Sequence, residues 1–224
     1  MDADANGKDP DTYSYRLATS HQLLWSKSLP NGSDFSLGII GTSKFYLKTI
    51  INSEVFECSS DRIVMTMLKW KRMANIFYEI PKLELDEFDR LANTIGSYII
   101  FPRNQINNQP TINAIRGISS KIKNRFDLTL ECIRLYYENQ SSPLYEHLRR
   151  YQFFFDLFVD FIGYVDFFLL QDLVDEKYKI QFWLPFESFN DYIVIPTNVE
   201  EYLSYKQNVM KFVRTRNKRI MNTF

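Results

Sequence analysis

The stretch SYIIFP at residues 97–102 is the clearest strand in the sequence. It is a compact apolar run bounded by Gly96 and Pro102, which is typical of a buried strand. Residues 85–94, just before it, follow a helical pattern with acidic residues near the start, where the helix dipole favours negative charge. A strand set among helical segments predicts an α+β fold.

The pattern on either side of this strand predicts further elements. Ser60 and Asp61 are typical N-cap residues and predict a helix running towards residue 73. Thr111 is expected to cap a short helix, and Gly163 is expected to break a long one. The expected helices cover residues 13–25, 61–73, 85–94, 111–116, 119–139, 143–162 and 199–217, and the expected strands cover 45–47, 55–58, 97–102, 179–186 and 192–195.

These elements predict an α+β fold in which a small mixed or antiparallel sheet packs against several helices. Residues 1–12 are polar and predict a disordered leader. No repeat or linker interrupts residues 13–224, which we therefore expect to form a single α+β domain. Aromatic residues make up 16% of the chain and fall mostly at apolar periodic positions, which predicts an unusually aromatic core.

Charge and composition exclude several partners. The 27 basic and 27 acidic residues cancel, so nucleic acid is expected to bind only through a local basic patch. No apolar run approaches the ~20 residues of a membrane span, and no secretory signal is visible, which favours the cytoplasm. The two cysteines are expected to be free, buried thiols. The basic C-terminal end is a candidate for contacts with nucleic acid, and its alternative is a helix C-terminus that cations stabilise. Its basic residues are Lys211, Arg214, Arg216, Lys218 and Arg219.

Three strings of sequence resemble an uncharacterised bacterial family, a domain of unknown function. They are HQLLWSKSLPNG at residues 21–32, RFDLTLE at 125–131 and GYVDFFLLQD at 163–172. The resemblance covers nearly the whole chain after the leader. It implies a bacterial or phage-related origin and carries no known reaction, substrate or catalytic residue.

The most suggestive polar residues follow the strand at 97–102. Loops at strand ends often carry ligand sites, and the start of a helix favours an anion. We therefore expect a nucleotide or another phosphate-bearing ligand to bind there, with no cofactor. The alternative is an amphipathic helix with a solvated basic face. The expected ligand-binding residues are Arg103, Asn104, Thr111, Asn113, Arg116 and Arg125, with His21 and Lys27 from the first helix.

Two rival functions stay open. Asp127 and Glu131 share one helix face, and Asp156 and Asp160 repeat the spacing, so the four carboxylates are candidate ligands for Mg²⁺ in a phosphodiesterase, a nuclease or a nucleotide-consuming toxin. The same acids could instead cap helices and pair with arginines. The second rival is an antitoxin-like or regulatory module that binds a protein through exposed aromatic residues.

Overall fold

A four-stranded antiparallel sheet lies at the centre of the computed structural model, which describes residues 2–51, 54–190 and 194–223. The strands are β1 Lys27–Ser28, β2 Asp34–Phe35, β3 Gly38–Ile40, β4 Tyr46–Ile51, β5 Glu54–Arg62 and β6 Tyr98–Pro102. The four-stranded sheet has the order β3-β4-β5-β6, and β1 and β2 form a separate two-stranded ribbon. The α+β prediction is confirmed, and the sheet is antiparallel.

Strand β6 is the predicted SYIIFP strand, and all of its residues are buried. It pairs with the polar end of β5, so that Ser60 lies opposite Ile100 and Arg62 opposite Tyr98. The prediction of a helix from Ser60 and Asp61 to residue 73 is therefore wrong. The backbone groups of both residues are in the ladder with β6, and only the 3-10 helix Lys71–Met73 forms at the far end of that stretch.

The helices surround the sheet. The predicted first helix, the helix before β6 and the last helix are confirmed with small shifts in their ends. In chain order they are α1 Asp2–Ala5, α2 Pro10–Tyr13, α3 Tyr15–Trp25, α4 Ala74–Tyr78, α5 Lys82–Ala92, α6 Ile112–Ile118, α7 Phe126–Tyr137, α8 Tyr145–Arg150, α9 Gln152–Phe155, α10 Phe161–Phe167 and α11 Val199–Met221.

Two long predicted helices are interrupted. The one at 119–139 begins only at Phe126, because Lys123 and Asn124 adopt positive φ angles of 49° and 61° that a right-handed helix does not contain. The one at 143–162 is divided into short pieces, and Val159 has a φ of 69°. Gly163, which was predicted to break a helix, lies inside α10 instead. Asp160 caps that helix by accepting from the Gly163 N–H at 2.7 Å.

The strand predicted at 179–186 does not form. Only an isolated bridge joins Val174 to Ile180 in this part of the chain. The backbone bonds to side chains instead: Trp183 N–H donates to Asp127 Oδ2 at 2.9 Å, and Asn208 Nδ2 donates to the Trp183 carbonyl at 3.1 Å. Of the strand predicted at 192–195, residues 192 and 193 lie outside the described residues.

The N-terminal segment is folded against the sheet, which corrects the disordered leader predicted for residues 1–12. Asp4 accepts from the Ser14 hydroxyl at 2.8 Å and from the Arg16 N–H at 2.9 Å. Asp11 accepts from the Ser60 hydroxyl at 2.8 Å. Polar composition misleads here because these polar side chains are themselves the docking contacts.

The core is built from aromatic rings. Phe158 contacts Phe154, Tyr164 and Phe168 with centroid distances of 5.1–5.3 Å, and Trp25 contacts Phe168 at 5.2 Å. Edge and tilted ring pairs of this kind add about 0.5–1.5 kcal/mol each beyond area burial. The described part of the chain contains no helix that is both long and apolar enough to cross a membrane.

Candidate functional site

Arg103 and Asn104, at the end of β6, are tied back onto the sheet. Arg103 pairs with Glu57 at 3.0 Å and stacks on the Tyr46 ring at 3.6 Å. Asn104 accepts from the Glu57 N–H at 3.2 Å, and its carbonyl accepts from the Tyr151 hydroxyl. The polar groups of these two residues thus fasten the loop after β6.

Three further predicted residues lie on α6. Thr111 caps this helix by accepting from the Ala114 N–H at 3.3 Å, as predicted. Asn113 donates to Ser59 Oγ at 3.2 Å. Arg116 is fully buried, pairs with Asp61 and donates from Nε to Thr129 Oγ1 at 2.9 Å. Burial lowers the pKa of Arg116 to about 10. Asn113 and Arg116 therefore both reach the polar end of β5.

Arg125 lies in a separate buried pair. It donates from Nε to Asp127 Oδ1 at 3.1 Å, pairs through Nη2 with Oδ2, and donates from Nη1 to the Val194 carbonyl at 3.1 Å. Asp127 also receives the Trp183 N–H. We call this arrangement the Arg125 pair. It holds α7 against residues 183 and 194 and leaves neither charge facing open space.

His21 and Lys27 make buried and half-buried hydrogen bonds of their own. The Trp25 indole N–H, which can only donate, bonds to His21 Nδ1 at 2.9 Å. His21 Nε2 therefore carries the proton and donates to Ser60 Oγ at 3.0 Å, and burial lowers the His21 pKa to about 3. Lys27 donates to the Phe167 carbonyl at 2.7 Å, and burial lowers its pKa to about 8.

The four candidate metal-binding carboxylates lie in different environments. Asp127 belongs to the Arg125 pair, Glu131 pairs with Arg134 at 2.8 Å, and Asp160 caps α10. Asp156 is exposed. Among residues 2–51, 54–190 and 194–223, no group of three or more His, Cys, Asp or Glu residues is placed to hold a metal ion.

The basic C-terminal end is partly folded into the core. Arg216 is buried and donates to the carbonyls of Gly96, Tyr98 and Phe168 at 2.9 Å each. Arg214 pairs with Glu87, and Arg219 with Asp172. Lys211 and Lys218 are exposed.

The hydrogen bonds from His21 lead towards a cleft at the surface. The Ser60 hydroxyl donates to Asp11 Oδ1 at 2.8 Å, and Asp11 Oδ2 accepts from the Arg62 N–H at 3.1 Å. The Arg62 side chain lines a cleft of about 720 Å³, which falls within the usual size range of small-molecule sites. The cleft is lined by Gly7, Lys8, Asp9, Pro10, Arg62, Met65, Thr66, Met67, Leu68, Lys69, Trp70, Asp89 and Asn93.

Residues 65–70 of the segment 63–70 line the cleft, and we call this segment the floor loop. Two tyrosines of α11 hold it: the Tyr205 hydroxyl donates to the Met65 carbonyl and the Tyr202 hydroxyl to the Thr66 carbonyl, each at 2.8 Å. Met67 has a φ of 61° although it is not glycine, and it is 2% exposed.

Cations predominate at the cleft. Lys8, Arg62 and Lys69 line it, against Asp9 and Asp89. The Arg62 guanidinium donates one hydrogen bond, from Nη1 to Asn93 Oδ1 at 3.2 Å, and its remaining N–H groups have no partner among the described residues. Five N–H donors are available on an arginine, so Arg62 retains capacity for an anion.

Asp11 and Arg62 escaped the sequence prediction. Asp11 lies in the predicted leader, and Arg62 lies in the predicted helix 61–73. Burial raises the pKa of Asp11 to about 6, with the nearby charge of Asp9 acting in the same direction. The only signal in the sequence for Asp11 was that it is one of four separate aspartates in the polar leader, a pattern that is equally typical of a solvated segment.

These observations define the protein as an α+β domain with a cationic cleft beside its sheet. The model of a family of unknown function, DUF6994, matches residues 1–220, and the chain belongs to that family. The match includes the N-terminal residues that form one wall of the cleft. Neither a curated protein nor a solved structure matches the chain.

Proposed function

We propose that this protein binds a phosphate-bearing ligand, of which a nucleotide is the class that fits best, in the cleft between residues 7–10 and the floor loop. The observation that carries the proposal is the unfilled bonding capacity of Arg62 in a cleft that also contains Lys8 and Lys69. Arginine binds phosphate through paired N–H donors, and lysine adds charge. This cleft replaces the loop after β6 as the proposed location.

The preference for a nucleotide over a simple phosphate compound comes from Trp70. This half-buried side chain lines the cleft beside the cations, and the Arg72 guanidinium stacks on its ring at 4.4 Å. An indole ring provides an apolar, planar surface for a base, and such stacking contributes about 1–3 kcal/mol per base. Cations and one aromatic face together suit a ligand with an anionic end and a planar end.

We infer a bacterial origin and a cytoplasmic location as parts of the same proposal. The resemblance of the three sequence strings supports the origin. Two buried, free cysteines support a reducing compartment, because they need no oxidising environment.

The test is isothermal titration with ATP, AMP, adenosine and inorganic phosphate. We expect at least one phosphate compound to bind with a Kd of about 1 mM or tighter, and adenosine to bind more weakly than AMP. Arg62→Ala should weaken binding at least tenfold, the equivalent of about 1.4 kcal/mol. Arg103→Ala is the matched control, since it removes an arginine at the end of the neighbouring strand. Equal binding by wild-type protein and Arg62→Ala would contradict the proposal.

A further inference from the structure

The positive charge of the cleft continues along the chain beyond the cleft itself. Residues 62–78 contain four basic residues and no acid, although the charges of the whole chain cancel. Lys69 lines the cleft, whereas Lys71 and Arg72 lie outside its lining. We call residues 69–72 the KWKR strip. Its cations make no ion pair with any acid in the described part of the chain.

Buried residues fix the KWKR strip on both sides. Met67 and Met73 are each 2% exposed, while the three cations between them are exposed. The Trp70 N–H donates to the Met67 carbonyl and the Met73 N–H to the Trp70 carbonyl, each at 2.9 Å. The cations are therefore presented on a backbone that is already ordered, which lowers the entropy lost when a ligand binds.

The arrangement of charge and ring in the strip matches the alternation of phosphate and base in a nucleic-acid strand. The Arg72 guanidinium lies 4.4 Å from the centre of the Trp70 ring, so a phosphate on Arg72 lies next to a base stacked at the indole. The cleft of about 720 Å³ has room for one nucleotide. Lys71 and Arg72, outside its lining, are placed for the phosphates of the following nucleotides. An indole needs an unpaired base, which favours a single strand.

We propose that the ligand of the cleft is one nucleotide of a single-stranded nucleic acid, whose next phosphates bind the KWKR strip. This inference rests on the proposed function, because it places that nucleotide in the cleft. The basic C-terminal end is less suited to bind a strand. Arg216 is buried there, and Arg214 and Arg219 are already paired with acids.

The test compares AMP with octa-adenylates of RNA and of DNA by isothermal titration at about 50 mM salt, where charge contacts are strong. RNA and DNA share the phosphates and bases that the strip would contact, and the two titrations distinguish them. We expect at least one octa-adenylate to bind at least about tenfold more tightly than AMP. A DNA duplex of about twelve base pairs should bind about tenfold more weakly than that strand, because its bases are already paired.

Variants outside the cleft lining assign the gain in affinity. Lys71→Ala/Arg72→Ala changes two exposed side chains and should remove the gain, while its affinity for AMP stays within about threefold of wild type. Each phosphate contact on a single strand contributes about 0.7 to the slope of log affinity against log salt, so this slope should fall by about 1.4. Lys211→Ala/Lys218→Ala is the matched control, since it removes two exposed cations from α11. It should bind octa-adenylate as wild type does.

Three results would overturn this inference. They are an octa-adenylate affinity no higher than that for AMP, equal binding of the strand by Lys71→Ala/Arg72→Ala and wild type, and binding of the duplex as tight as that of the strand. A protein that binds AMP through Arg62 but gains nothing from the longer strand keeps the proposed function and loses only this inference. An unchanged AMP affinity in Arg62→Ala contradicts the proposed function itself.

Discussion

The Arg125 pair and the cleft around Arg62 place the same side chain in opposite situations. Arg125 is 1% exposed, and each of its guanidinium nitrogens donates to Asp127 or to the Val194 carbonyl. Arg62 is half-buried, donates to Asn93 and faces a cleft of about 720 Å³. The difference shows when a charged residue is a candidate for ligand binding. Some of its hydrogen-bond donors must lack a protein partner, and the residue must line an open cleft.

The largest expected effect is at the Arg125 pair. Arg125→Ala leaves the Asp127 carboxylate buried without its cation, which typically costs about 3–5 kcal/mol. Urea unfolding monitored by circular dichroism measures the loss in free energy of unfolding. Arg149→Ala, which removes an exposed pair with Glu146 at 3.3 Å, should cost less than about 1 kcal/mol. Similar losses in the two variants would show that the Arg125 pair is not a stabilising element.

The second effect concerns Asp11, whose carboxyl links the core to the cleft wall. The pKa of Asp11 is raised to about 6 in the folded state. Between about pH 4 and pH 6 the Asp11 carboxyl is therefore protonated in the folded protein and ionised in the unfolded chain. The free energy of unfolding of the wild-type protein, measured relative to that of Asp11→Asn, should therefore fall by about 3 kcal/mol as pH rises through that window. Above about pH 6 the difference in free energy between the two proteins should be constant. Unfolding free energies at several pH values measure this.

His21, in the same hydrogen-bond network, should give the opposite dependence of stability on pH. Its folded pKa of about 3 lies below the unfolded value, so its stabilising contribution is present above about pH 6.5 and is lost as pH falls towards 3. Arg216 contributes to this lowering through its charge. His21→Gln should remove that loss at acid pH. If Asp11→Asn and His21→Gln change the pH profile in the same direction, the assignment of protons along this network is wrong.

A smaller effect is expected from the tyrosines that hold the floor loop. Tyr205→Phe keeps the ring and removes the hydrogen bond to the Met65 carbonyl, so it should cost about 1–2 kcal/mol. Hydrogen exchange of the backbone should quicken in residues 63–70. Tyr46→Phe serves as the control, because it also removes one tyrosine hydroxyl. The ring of Tyr46 packs under Arg103 and not against the floor loop. Exchange that rises equally throughout the chain would mean that the loop is not held locally.

The smallest effect is expected at Arg103, one of the ligand-binding residues predicted from the sequence. Its pair with Glu57 is about one-third exposed on each side, so Arg103→Ala should change the free energy of unfolding by less than about 1 kcal/mol. Nucleotide affinity should stay within about twofold of wild type. A tenfold loss of affinity would return the proposed site to the loop after β6.

Local patterns allowed much of the fold to be predicted. The strand at 97–102 and the last helix follow from apolar spacing and capping residues within a few positions of each other. The interruptions at Lys123 and Val159 could not be predicted, because lysine and valine rarely adopt the positive φ angles that these two residues have. Apolar spacing alone does not distinguish one long helix from several short ones.

The cleft was hidden for a related reason. Asp11 meets Ser60, 49 positions away, and Tyr205 meets Met65, 140 positions away, so no local pattern joins the parts. His21 and Arg116 were singled out from the sequence, and both contact the polar end of β5, directly at Ser60 and Asp61. The cleft residues themselves lie in segments predicted as a leader and a helix.

The most direct test is to map where ATP binds, by recording backbone and indole N–H shifts of the ¹⁵N-labelled protein during a titration. We predict that the Trp70 indole signal and the backbone signals of Lys8, Arg62 and residues 65–70 move together, and that Arg62→Ala abolishes these changes. Shifts confined to residues 103–116, with the floor loop unaffected, would contradict the account.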